Sequence, residues 1–224
     1  MADKKAIKGV IYLIFVVFGL LVLLIAGNPS LQSLLLVYIG MLIFSIFVYY
    51  NKDFRENAIG IRRDNIGKSI LFAVVISIGF YIIAKVTGLS IGLPLLSGNI
   101  SDSIRKITVL FFAPSIETFW IVAVYAILVT LIGKTIWAVL AQAGVFSLAH
   151  TSSYILGFYS YPSFTEGLTA FQSNIGSFFA AFIFAFIGMY VLIQPKIKNQ
   201  IFLITLHFLL NLIITVLLAI IIIS

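Results

Sequence analysis

The sequence predicts an all-α fold: a polytopic membrane bundle of about seven transmembrane helices. Of its 224 residues, 62% are hydrophobic and 9% charged, and the mean hydropathy is +1.20. A soluble domain is about half apolar and a quarter charged, so this chain has too little polar surface for a soluble globule or a disordered segment. The apolar residues also fall in long blocks without charge, as membrane spans do. In lipid only helices and closed barrels satisfy their backbone groups, and the alternating pattern of a barrel strand is absent.

Seven blocks follow one another: Gly9 to Ala26, Leu31 to Tyr50, Ser69 to Val86, Ile107 to Ile132, Thr135 to Leu156, Gly176 to Ile193 and Ile201 to Ile223. Each is about long enough to cross a ~30 Å hydrocarbon core at ~1.5 Å per residue. With no long linker and no solenoid repeat, residues 1–224 are expected to form a single multi-pass domain. Three lysines before the first block resemble the start of a signal peptide. The apolar run is longer than a typical signal core, however, and Ala26-Gly27-Asn28 is a poor cleavage site, so the block is expected to stay as the first span.

Lys and Arg near span ends set the orientation. With the N-terminus in the cytoplasm, that side receives Lys4, Lys5, Lys8, Lys52, Arg55, Arg62, Arg63, Lys68, Lys134, Lys196 and Lys198, eleven of the fourteen basic residues. The outside receives Lys85, Arg105 and Lys106. The expectation is a cell-membrane protein with a cytoplasmic N-terminus. The net charge of +7 is thus explained by topology, and nucleic acid is not an expected partner. Between spans, Asn51 to Lys68 reads as a solvated, charged cytoplasmic loop. Thr151 to Gln172, with Tyr154, Phe158, Tyr159, Tyr161, Pro162 and Phe164, reads as an extracytoplasmic interfacial belt. Ser177, Ala181, Ala185 and Gly188 form a small-residue stripe that suits close helix packing.

Polar groups inside the blocks carry the functional signal. Six of the seven carboxylates lie in termini or loops (Asp3, Asp53, Glu56, Asp64, Asp102 and Glu166), and only Glu117 lies within a block. Both histidines, His150 and His207, are also within blocks, and Asn211 follows His207 by one helical turn. Such groups cost roughly 2.5–3.5 kcal/mol each near the bilayer centre when charged, so they are expected to face one another around a polar cavity.

The chain has no cysteine, so disulfides, thiolate metal sites and cysteine nucleophiles are excluded. Ser115 and Ser147 lack an evident triad order. A His, His, Glu set could hold zinc from three helices, but this leaves Asn211 without a role. Acid–base activation of water uses all four groups, with no metal and no cofactor. Glu117 is the general base, since a carboxylate held out of water accepts a proton readily. His150 shares that proton or orients the water, and His207 and Asn211 donate to the oxyanion of an attacked carbonyl.

At these residues the sequence resembles the CPBP (Abi) family of intramembrane glutamic proteases, which includes the CAAX prenyl endopeptidases. The Pro-led Glu-Glu-x-x-x-Arg motif corresponds to Pro114-Ser115-Ile116-Glu117-Thr118-Phe119-Trp120-Ile121-Val122, with Thr118 in place of the second glutamate and Val122 in place of the arginine. Phe-x-x-x-His is intact as Phe146 to His150, and His-x-x-x-Asn as His207 to Asn211. The resemblance covers about Ile107 to Ile223. It implies an endopeptidase that hydrolyses a membrane-embedded or membrane-proximal peptide substrate, prenylated peptides among the candidates, with Glu117, His150, His207 and Asn211 catalytic. Two alternatives stand beside it: a silent family member that binds a membrane protein, as an immunity factor does, and a proton-coupled transporter.

Overall fold

In a computed structural model of the chain, the described residues are 2–26, 31–87, 110–133, 135–160 and 163–223. Asp102, Arg105, Lys106, Lys134, Tyr161 and Pro162 lie outside them. All regular structure among the described residues is helical: α1 (Ala2–Ala26), α2 (Leu31–Tyr50), α3 (Ile66–Thr87), α4 (Ala113–Ile132), α5 (Thr135–Ser160), α6 (Phe164–Leu192) and α7 (Ile201–Ile223). By length and composition, α3 over Ile66–Ile83 and α4 over Ala113–Ile132 can each cross a membrane. Shorter apolar stretches occupy Leu35–Tyr50, Thr135–His150, Phe178–Leu192 and Ile201–Leu212.

The helix ends follow local chemistry. Pro114 enters α4 in its first turn, where its missing N–H costs no hydrogen bond. Gly133, at a φ of 68°, closes the same helix by donating its N–H to the Val129 carbonyl at 3.0 Å. That left-handed position suits glycine. Asn65 holds a φ of 65° just before α3, a conformation asparagine tolerates better than most residues.

The segment Thr151 to Gln172 corrects the sequence reading in part. The fifth apolar block ends at Leu156 and the sixth begins at Gly176, but α5 runs on to Ser160 and α6 begins at Phe164, so the aromatic belt is mostly helix. A helix needs only its own backbone hydrogen bonds, so it continues past the end of an apolar block; the glycines at 157 and 167 do not stop it.

The chain divides into two compact units. The first comprises Met1–Ala58 and Phe119–Tyr190, and the second Ile59–Thr118 and Val191–Ser224. In the first, α1 packs along α5 and touches α2. Its core gathers Val48, Phe54, Ala123, Ala126 and Ile127, with Tyr12, Leu13, Phe44, Tyr49 and Leu131 around them. Phe54 comes from the turn after α2, and polar ties hold that turn down. Lys8 Nζ pairs with Asp53 Oδ2 at 2.8 Å, and Asn57 Nδ2 donates to Thr130 Oγ1 at 2.9 Å. Lys8 holds the Asp53 carboxyl below its ordinary range, and Asp53 raises the ammonium in return. Within α6, Ala185 and Gly188 of the small-residue stripe are buried, as close packing requires.

In the second unit α3 packs along α7. The pattern on α3 is inverted relative to a soluble protein. Ser69, Ala73 and Ser77, one turn apart, are buried, while Leu71, Val75, Ile82 and Ile83 are exposed. Ser77 satisfies its hydroxyl on the Ala73 carbonyl at 2.8 Å. Small residues turned inward let helices approach, and large apolar ones turned outward suit a lipid solvent.

Candidate functional site

Glu117 sits one turn inside α4, where the chain of the second unit begins that helix. It is 8% exposed, and Thr118 beside it is fully buried. His207, 6% exposed, projects from the second turn of α7. The two side chains meet: His207 Nε2 lies 3.6 Å from Glu117 Oε2. Next to this contact, Phe111 at the entry of α4 packs on Phe208 with ring centroids 5.8 Å apart. The aromatic pair fixes α7 against the start of α4 and so sets the approach of the carboxylate to the imidazole.

A separation of 3.6 Å is beyond hydrogen-bond range but within strong electrostatic reach. A water about 2.8 Å from both atoms would close a triangle over that gap and could give a proton to Glu117. Asn211, half-buried, lies one turn further along α7 on the face of His207. Three of the four residues expected from the sequence therefore belong to the second unit, two of them in direct contact.

His150 belongs to the first unit, on α5, and is exposed. Its Nδ1 is 3.0 Å from the Phe146 carbonyl, and its ring packs on Phe146 with centroids 4.1 Å apart. A carbonyl only accepts, so Nδ1 carries the hydrogen and Nε2 is the basic nitrogen of the neutral ring. Phe146, one turn earlier, thus supplies both the carbonyl and the ring that orient the imidazole. Ser147 donates its hydroxyl to the Phe178 carbonyl at 2.6 Å, which commits it to joining α5 and α6.

The sequence reading passed over buried carboxamides. Gln142 is buried on α5, two turns before His150 on the same face, and neither its Oε1 nor its Nε2 has a hydrogen-bond partner among the described residues. Gln200, at the entry of α7 and seven residues before His207, is buried in the same state. With His207 and Asn211 it extends one polar stripe along α7. The signal was present in the sequence as a polar residue within or beside an apolar block. A carboxamide carries no charge, so its cost in an apolar interior is lower and it stands out less.

No protein-family model, no curated protein and no solved structure matches this chain.

Proposed function

We propose that the chain is a multi-pass membrane endopeptidase of the CPBP type, with about seven spans and a cytoplasmic N-terminus. The observation that carries the reading is the buried contact of Glu117 with His207. A carboxylate and an imidazole excluded from solvent at this distance suit proton transfer, and each costs free energy unless the other offsets it. In the proposed reaction water attacks the carbonyl carbon of a membrane-embedded or lipid-modified peptide, and Glu117 takes its proton as the new C–O bond forms. The charge that develops on the carbonyl oxygen is met by His207 and the Asn211 amide. Glu117 then gives the proton it took from water to the departing amine as the C–N bond breaks.

Glu117→Gln retains size and hydrogen bonding but removes proton acceptance. Comparison of membrane peptides from cells with the wild type and with this variant should show products that depend on Glu117, while substrate still binds the variant. Full cleavage by Glu117→Gln refutes the glutamate-base mechanism. A second reading, a binder that does not hydrolyse, is favoured by one observation. Thr118 and Val122, at the positions of the family's second glutamate and arginine, are fully buried, so neither supplies a charge beside Glu117. Partner capture without any Glu117-dependent product would select that reading.

A further inference from the structure

Two loops of the second unit, 59–65 and 193–200, are joined by one side chain. Asn199 is fully buried. Its Oδ1 accepts the Arg62 N–H at 3.3 Å, and its Nδ2 donates to the Arg62 carbonyl at 2.8 Å and the Asp64 carbonyl at 3.1 Å. The Gln200 N–H adds a bond to the Gly60 carbonyl at 3.3 Å. This stitch sets Arg62, Arg63, Lys196 and Lys198, all exposed, on one pair of loops, with Lys68 exposed in the first turn of α3 directly after.

Against these five cations the loop pair carries one carboxylate, Asp64. Among the described residues none of the five forms an ion pair within the chain, in contrast to Lys8, which is paired with Asp53. Large apolar side chains stand among them: Ile61 is 53% exposed and Ile66 38%. Exposed isoleucines beside uncommitted arginines suit neither plain water nor a hydrocarbon core. They suit the boundary between the two. The guanidinium fork matches phosphate oxygens two at a time, and Lys68 adds its charge at the positive end of α3.

We propose that this stitched loop pair binds the phosphodiester headgroups of anionic phospholipids in the adjoining leaflet. The inference rests on the membrane reading above. Near an anionic leaflet each basic residue contributes roughly a fivefold gain in affinity, so losing three should weaken binding by about 10²-fold.

The test uses the full-length protein in neutral detergent, with thermal unfolding followed in the presence of phosphatidylglycerol, phosphatidylcholine or inorganic phosphate. Phosphatidylglycerol alone should raise the melting temperature, and high salt should abolish the effect. The R62A/R63A/K198A variant should need about 10²-fold more phosphatidylglycerol for the same shift. R62K/R63K, which keeps charge but loses the fork, should lose a smaller part, and K4A/K5A in the first unit should match the wild type. Equal stabilisation by phosphatidylcholine, an equal effect of inorganic phosphate, or an unchanged triple variant would each overturn the inference. Alkaline washing of membranes separates the two readings. A chain that washes off refutes the membrane reading and this inference together, whereas a retained chain without headgroup selectivity refutes this inference alone.

Discussion

Replacing Asn199 by alanine removes four hydrogen bonds at once from a fully buried position. Besides the three bonds to Arg62 and Asp64, Oδ1 accepts the Ile201 N–H at 3.2 Å and so caps α7. An asparagine side chain offers two donor hydrogens and two acceptor lone pairs, and all four are used here. The two donated bonds, at 2.8 and 3.1 Å, are worth about 1 kcal/mol each, and the two longer accepted ones about half that. The loss is therefore about 3 kcal/mol, which for a chain of this size lowers the melting temperature by about 6–12 °C. Asn199→Asp should be no milder: it keeps the acceptors but sets carboxylate oxygens against the Arg62 and Asp64 carbonyls. Thermal unfolding of both variants in detergent, with the exposed Lys196→Ala as reference, checks the figure. If Asn199→Ala unfolds within about 0.5 kcal/mol of the wild type, the loops do not depend on this side chain and the reasoning fails.

Three further outcomes are expected. Asn211→Ala should lower cleavage by about 10²–10³-fold with little change in substrate binding, as loss of one oxyanion donor does; a turnover assay with a binding control measures both. A Cβ at Gly9 would lie 2.6 Å from Leu131 Cδ2, so Gly9→Ala should destabilise by about 1–3 kcal/mol. The double variant Gly9→Ala, Leu131→Ala should cost less than the sum of the single changes, as a double-mutant cycle of thermal unfolding would show. The tie between Lys8 and Asp53 should have two pH limits, because the Asp53 pKa is lowered from 3.8 and the Lys8 pKa is raised from 10.5. Its stabilisation is complete between those values. It is lost in acid as pH falls below 3.8 through the lowered Asp53 pKa, and in base as pH rises past 10.5 through the raised Lys8 pKa. A pH series of melting temperatures should show the acid limb in the wild type and a smaller one in Asp53→Asn.

The sequence by itself determined the secondary-structure class and the candidate residues. Long uncharged blocks admit little but helices, and Glu117, His150, His207 and Asn211 stand out as polar groups inside such blocks, so these candidates were visible without coordinates. The extension of α5 over Gly157 to Ser160 and the early start of α6 were not legible, because hydropathy reports the environment of side chains whereas helix continuity depends on backbone hydrogen bonds. Only the tertiary structure decided that His207 is the group against Glu117, since spacing along α7 places His207 and Asn211 on one face but does not say which element that face meets. It also decided that Gln142 and Gln200 are buried and that Asn199 binds residues more than 130 positions away. Those facts arise from contacts between segments distant in sequence, which composition and periodicity do not encode. A helix repeats every 3.6 residues, but its partner is selected by shape and by unmet polar groups, and these exist only once the chain has packed.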